Sequence, residues 1–289
     1  MLISMTTGPF TSKGLSEKET IKLMYDAGFT AYDIGLFMLL DSNTHPFCTE
    51  NAIEYAKEIR KYADELGIVC NQAHAPFHSS CGDAQRDEEI FQQIVRSIEI
   101  ASVLGAKNIV VHPKQHLIYA ENIDELFRLN LEFYNRLIPY CKKYNIKVAV
   151  ENMFQYNRVT GNIIDSTCSR SCEFNKYIDT INSEWIVGCL DIGHVALVGA
   201  DIAKFIKDLG GKRLQALHIH DNDFLRDTHT MPFIQKIDYE PIVKALSDIG
   251  YEGDMTFEAN SFIAKFPKEL LLPAAKLLCE TGKYLANSI

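Results

Sequence analysis

Apolar and polar positions along this chain switch between two periods about eight times. Short apolar or β-branched runs, which read as strands, occupy Leu2–Thr6, Ala31–Ile34, Ile68–His74, Asn108–His112, Lys147–Glu151, Val187–Asp191, Leu214–His220 and Asp254–Glu258. Between them lie stretches of helical period, including Ser16–Ala27, Asn51–Leu66, Glu88–Leu104, Ile123–Tyr144, Tyr239–Ile249 and Pro267–Ala286. Ser16 and Glu19 have the spacing of a capping box, in which a hydroxyl and a carboxylate satisfy free amides of the first turn. Gly28, Gly67, Gly105, Gly210 and Gly250 each follow a helical stretch, where left-handed backbone ends a helix. The least regular segment, Asn157–Asp179, predicts an extended loop and a short helix.

Strands that alternate with helices imply a parallel sheet, because parallel neighbours need a crossover and a helix normally supplies it. Eight such units predict an α/β fold, a single (β/α)8 TIM barrel spanning residues 1–289, with no linker or composition shift to mark a second domain. An open doubly wound sheet is the alternative, but Thr7-Gly8-Pro9-Phe10 offers no glycine-rich phosphate loop. In a barrel, chemistry belongs at the carboxyl ends of the strands and in the loops that follow them.

Composition narrows the partners. Hydrophobic residues at 47% and charged residues at 23% are ordinary globular usage and exclude a disordered chain. The net charge of −9 argues against a nucleic-acid partner. No apolar run reaches the roughly 18–20 residues of a membrane span, so no membrane partner is expected. The amino terminus reads as a strand rather than a signal peptide, and eight cysteines without a secretion signal point to reduced thiols and a cytoplasmic protein. Cys168 and Cys172, four apart, could share a helix face, a weak metal signal without a partner pair.

The nine histidines segregate. His74, His112, His194, His218 and His220 lie at or just past predicted strand ends, and His45, His78, His116 and His229 in the loops that follow strands. Glu151, Asp191 and Glu258 each end a hydrophobic strand. A carboxylate there is costly to desolvate unless a cation or several hydrogen bonds compensate it. Any one of these acids could instead serve structure, by accepting backbone amides, and His45 and His116 read as solvated loop residues. Three acids and several imidazoles converging on one barrel face describe a divalent-metal site.

Six segments follow one another in a recognisable order: His74-Ala75-Pro76, Val111-His112-Pro113, Glu151-Asn152, Asp191-Ile192-Gly193-His194, His218-Ile219-His220-Asp221-Asn222-Asp223 and Phe257-Glu258-Ala259-Asn260. As an ordered set they resemble the xylose-isomerase-like barrel superfamily, which contains sugar and sugar-phosphate isomerases and epimerases, related dehydratases and endonuclease IV. The resemblance to its ketose epimerases implies one divalent ion (Mn, Mg, Co or Zn) held by Glu151, Asp191, His218 and Glu258. It also implies that Glu151 and Glu258 double as acid and base on opposite faces of the substrate. The resemblance to endonuclease IV implies additional zinc on His74, His112, His194, Asp227 and His229. In one respect the chain departs: after Asp227-Thr228-His229 the family shows a P-G-x-G turn, whereas Pro232-Phe233-Ile234-Gln235-Lys236 has no glycine, which predicts an altered loop.

The reaction expected is a metal-dependent isomerisation or epimerisation of a small sugar, keto-polyol or sugar phosphate through an enediolate, with His74, His112, His194 and His220 binding substrate. A keto-polyol dehydratase begins with the same proton abstraction, a multi-zinc phosphodiesterase uses the same ligands, and a barrel that has lost catalysis is the non-enzyme alternative. Charge favours the sugar. The loop Gly35–Asp41 is apolar and acidic, with no basic residue before Lys57, and Pro76–Glu89 holds only Arg86 against several acids. A homo-oligomer is compatible with the sequence.

Overall fold

Alternating residues of each strand serve different layers, and this places the site. The computed structural model describes residues 1–41 and 44–289; Ser42 and Asn43, inside the acidic stretch before Lys57, lie outside the described residues. Eight strands are parallel: β1 (Ile3–Met5), β2 (Ala31–Gly35), β3 (Val69–His74), β4 (Asn108–Val111), β5 (Lys147–Glu151), β6 (Ile186–Asp191), β7 (Leu214–His218) and β8 (Met255–Phe257). Strands β2 to β7 form one curled sheet in chain order, and β1 pairs with β8. Single bridges from Thr6 to Asp33 and from Ile219 to Phe257 join the two sheets, so the strands close into the expected (β/α)8 barrel.

Ile109, Val111, Val148, Val150, Leu190 and Leu217 belong to the large core between the sheet and the helices. Val110, Ala149, Val187, Cys189 and Ala216 form a separate small cluster. By the strand period of two, Glu151 follows Ala149, Asp191 follows Cys189 and His218 follows Ala216 on this inner face. Small residues thus fill the barrel interior, and the polar residue two positions on caps each inner row.

The outer layer comprises α1 (Glu17–Ala27), α2 (Ala52–Leu66), α3 (Ala84–Leu104), α4 (Ile123–Tyr144), α5 (Ser171–Ile181), α6 (Ile202–Arg213), α7 (Glu240–Asp248) and α8 (Leu271–Ala286). Ser16 and Glu19 close the expected capping box on α1. Asp83 caps α3 by accepting the Arg86 amide at 2.8 Å, so Ala84–Glu89 is helix where a loop is expected. Gly210, expected just past a helix, lies inside the last turns of α6 as a kink at φ 69° and ψ 158°. The irregular segment resolves into an antiparallel ribbon, Phe154–Tyr156 with Ile163–Asp165, followed by α5. Cys168 and Cys172 share no helix face: Cys168 precedes α5 with φ 63° and is buried, and Cys172 is exposed. No helix among the described residues is long and apolar enough to cross a membrane.

Candidate functional site

The carboxyl ends of the strands bring the predicted residues to one place. Ligand atoms of Glu151, Asp191, His218 and Glu258 all lie within 4.8 Å of one another. His218 Nδ1 is 2.8 Å from Glu151 Oε1 and 3.7 Å from Glu258 Oε2, so the two glutamates flank the imidazole. Burial pushes the Glu151 carboxyl up, but the His218 and His112 imidazoles outweigh it and hold the group well below the ordinary carboxylate range. Asp191 is likewise buried, and His194 and His220 keep its pKa low. Burial opposes a charge on His218, yet the thiol of Cys189 and the carboxylates of Glu258 and Glu151 hold its pKa well above the ordinary value.

On one flank, His74 Nε2 and His112 Nε2 face each other at 3.1 Å, and His112 Nε2 stands 2.8 Å from Glu151 Oε2. On the other flank, ligand atoms of His194, His220, Asp227 and His229 also fall within 4.8 Å of one another. Burial works against charge on His194 and His229. Asp191 and Asp227 nevertheless push His194 up to about 10, and Asp227 with Glu258 pushes His229 up to about 9.

Backbone carbonyls orient three of these rings. His74 Nδ1 donates to the Ala75 carbonyl at 2.8 Å, His194 Nδ1 to Asn152 at 2.8 Å and His229 Nδ1 to Glu258 at 3.0 Å. A carbonyl only accepts, so in each neutral ring the proton sits on Nδ1 and the Nε2 lone pair faces the cluster, as a metal ligand requires. Asp227 Oδ1 is buried without a hydrogen-bond partner. Orphaned buried acceptors are costly, and hard oxygen and imidazole donors suit a divalent cation. The residues present therefore fit such an ion.

His220 sits deeper than the other cluster histidines. It is buried, with Nε2 3.0 and 3.1 Å from the two oxygens of Asp191, and its ring stacks on His229 at 3.9 Å. His74, His112, His194 and His229 line the cavity, whereas His220 does not. Gly193 serves space: a Cβ there would stand 2.0 Å from His220 Cε1.

The loop lacking glycine turns left-handed at another residue type. Phe233 itself takes a left-handed φ of 72°, and Asp221 accepts the amides of Gln235, Lys236 and Ile237 at 2.7, 3.1 and 2.9 Å. His45 lies away from the cluster, bonded to Glu17 at 2.9 Å. His116 is not merely solvated: its Nδ1 bonds Ser80 at 2.6 Å beside the cavity.

The cavity above the cluster measures about 740 Å³. Its walls are aromatic, which the sequence did not single out. Phe77 stacks on His112 with ring centroids 4.9 Å apart, and Phe154 meets His194 edge-on at 4.9 Å. Phe37, Tyr156 and Arg158 complete that wall, and none of them has a periodic signal that could have marked it.

Residues 21–279 match the family described as xylose isomerase-like TIM barrel. An inosose dehydratase of Clostridium perfringens is 25% identical over 249 residues, covering 78% of this chain and 82% of its own. A Bacillus licheniformis protein named "Probable endonuclease 4" is 27% identical over 227 residues, covering 74% and 70%. Among solved structures, the D-psicose 3-epimerase of Clostridium cellulolyticum with D-tagatose superposes with a TM-score of 0.76 at 16% identity, covering 99% of each chain.

Proposed function

The chain belongs to the xylose isomerase-like TIM barrel family, and from that premise we propose that it is a divalent-metal-dependent isomerase or epimerase of a small sugar, keto-polyol or sugar phosphate. The observation that carries this reading is the convergence of Glu151, Asp191, His218 and Glu258 within 4.8 Å, with two glutamates flanking one imidazole. These four residues would hold the ion. When bound, it supplies Lewis-acid polarisation that acidifies a C–H next to a substrate carbonyl.

The remaining work belongs to the chain. One glutamate of the Glu151/Glu258 pair removes the proton, and the other returns one to the opposite face or the neighbouring carbon. The low basicity of Glu151 matches a substrate already acidified. His74, His112, His194 and His229, which line the cavity, bind the substrate hydroxyls. Phe37, Phe77, Phe154 and Tyr156 keep bulk water from the carbanion. Loss of a β-hydroxyl after the same proton removal would make a dehydratase, a chemistry that the name of the Clostridium perfringens relative carries.

A phosphodiesterase is the second reading, favoured by the two flanking clusters His74/Glu151/His218 and His194/His220/Asp227/His229. Against it, Arg158 is the only lysine or arginine among the described residues lining the cavity, and a nucleic-acid backbone needs several.

The test is incubation of metal-loaded protein with ketoses, inososes and ketose phosphates in D₂O, and in parallel with abasic-site DNA. Deuterium should enter the carbon next to the carbonyl while the DNA stays intact. Glu151→Gln and Glu258→Gln should each slow exchange by about 10²–10⁴-fold, the range for losing a positioned acid or base. Strand cleavage that disappears in Glu258→Gln, with no exchange in any sugar, would make the nuclease the right answer.

A further inference from the structure

The geometry points to Arg158 as the anchor for an anionic group on the substrate, so that the cavity takes a phosphorylated or carboxylated sugar in preference to a neutral one. This rests on the sugar-enzyme reading above and narrows its substrate class.

Of the nine arginines, eight donate to a carboxylate or a backbone carbonyl of the protein. Arg158 alone, among the described residues, has no such partner, and it is the arginine at the mouth of the cavity. An unpaired surface arginine is common by itself. Here the chain has built a support for one. Asn157 Oδ1 accepts the amides of Val159 and Thr160, both at 2.9 Å, and the Asn157 amide and carbonyl bond Asn162 and Gly161 at 2.8 Å each. These bonds close a tight turn around Arg158 at the end of the ribbon. The ribbon is itself tied down: the Gln155 side-chain amide donates to the carbonyls of Gln115 and Leu117 at 2.9 and 2.8 Å. The guanidinium therefore hangs from a fixed turn rather than from a slack loop.

Charge and size agree with that placement. Glu151, Asp227 and Glu258 put carboxylates at the bottom of the cavity, and one cation stands at its rim. A neutral polyol has no use for that cation, whereas a phosphate or carboxylate meets a planar, two-pronged donor suited to it. Pockets of about 300–1,000 Å³ hold ligands of drug size, larger than a bare six-carbon sugar. The 740 Å³ available thus leave length for a charged tail between the ligand cluster and the turn.

Binding without turnover tests this. D-fructose 6-phosphate, D-ribulose 5-phosphate, D-galacturonate and D-fructose are titrated into the metal-loaded protein and its Arg158→Gln and Arg158→Lys variants. Calorimetry gives affinity, and ¹⁵N NMR of the arginine side chains gives location. The anionic probes should bind at least tenfold more tightly than fructose and shift the Arg158 Nε resonance. Arg158→Gln should erase the preference with an unchanged circular dichroism spectrum, and Arg158→Lys should restore part of it. Preference for the sugar phosphates or for the uronate identifies which anion the site takes. Equal affinity for fructose, a preference that survives in Arg158→Gln, or an Nε resonance that no probe moves would each overturn the anchor. Deuterium exchange in neutral ketoses with no tighter binding of any anionic probe would do so while leaving the isomerase reading intact; anion binding at Arg158 with no exchange in any sugar would remove that reading and leave the anchor.

Discussion

A methyl group on residue 193 would have to share space with the His220 ring, whose Cε1, Nε2 and Nδ1 lie 2.0, 2.5 and 2.6 Å from the ideal Cβ position. Gly193→Ala should therefore displace His220 from Asp191 and unstack it from His229. The expected cost is about 1–3 kcal/mol, the usual penalty for overpacking a filled interior, read as a lower midpoint in denaturant unfolding, together with weaker metal retention. Unchanged stability and metal content would mean that His220 has another place to go. At this scale the acids and imidazoles were legible, because a polar residue ending an apolar strand is conspicuous in a sequence. The reason for Gly193 was not, since the sequence shows a permissive backbone and hides the ring that needs the room. Phe233 is the reverse case. The sequence shows that a glycine is absent there, but not that Phe233 takes left-handed backbone beside three amide bonds to Asp221.

At the scale of elements, Glu17 pins the first turn of α1 to the loop after β2 through His45 Nε2 at 2.9 Å, and to α2 through the Tyr55 hydroxyl. Burial raises its pKa, but the hydrogen bonds from His45 and Tyr55 outweigh that and lower it below the ordinary 4.5. A carboxyl depressed on folding stabilises above its unfolded value and loses that contribution as pH falls through its folded value. Glu17→Gln should thus cost about 1–3 kcal/mol near neutral pH, the worth of hydrogen bonds to a charged group. The gap between wild type and variant should shrink as the solution is acidified below about pH 4.5. Urea unfolding of both proteins across that range checks it, and a gap independent of pH would show that the carboxylate charge contributes nothing. His45 reads from its position alone as a solvated loop histidine; its partner Glu17 is 28 residues away, beyond any local pattern. The ribbon that carries Arg158 escaped for a related reason. Its strands have only three residues each and mix exposed and half-buried positions, so no period develops.

For the whole molecule, the eight-fold alternation sufficed to predict the barrel, because parallel strands with helical crossovers leave few other arrangements. What that alternation does not reveal is how tightly each pair of neighbours is stitched. Most adjacent strands share a ladder of several partners, but β1 and β2 meet through one bridge, and so do β7 and β8, where the Ile219 amide donates to Thr256 and the Glu258 amide donates to Ile219. His218 stands on one side of that seam and Glu258 on the other, with 3.7 Å between their nearest side-chain atoms. Such a seam should breathe sooner than a full ladder, exposing the amides of Ile219 and Glu258 to solvent exchange faster than those inside β4 and β5. A cation gripping both residues would act as a staple across the opening. At about a hundred times its dissociation constant it would slow the exchange of those two amides by up to about a hundredfold. Hydrogen exchange with and without divalent ions reads this directly, and two amides indifferent to the ion would mean that the ring stays shut without it. On that account the same ion that the site is built to hold would also be the last rung of the barrel.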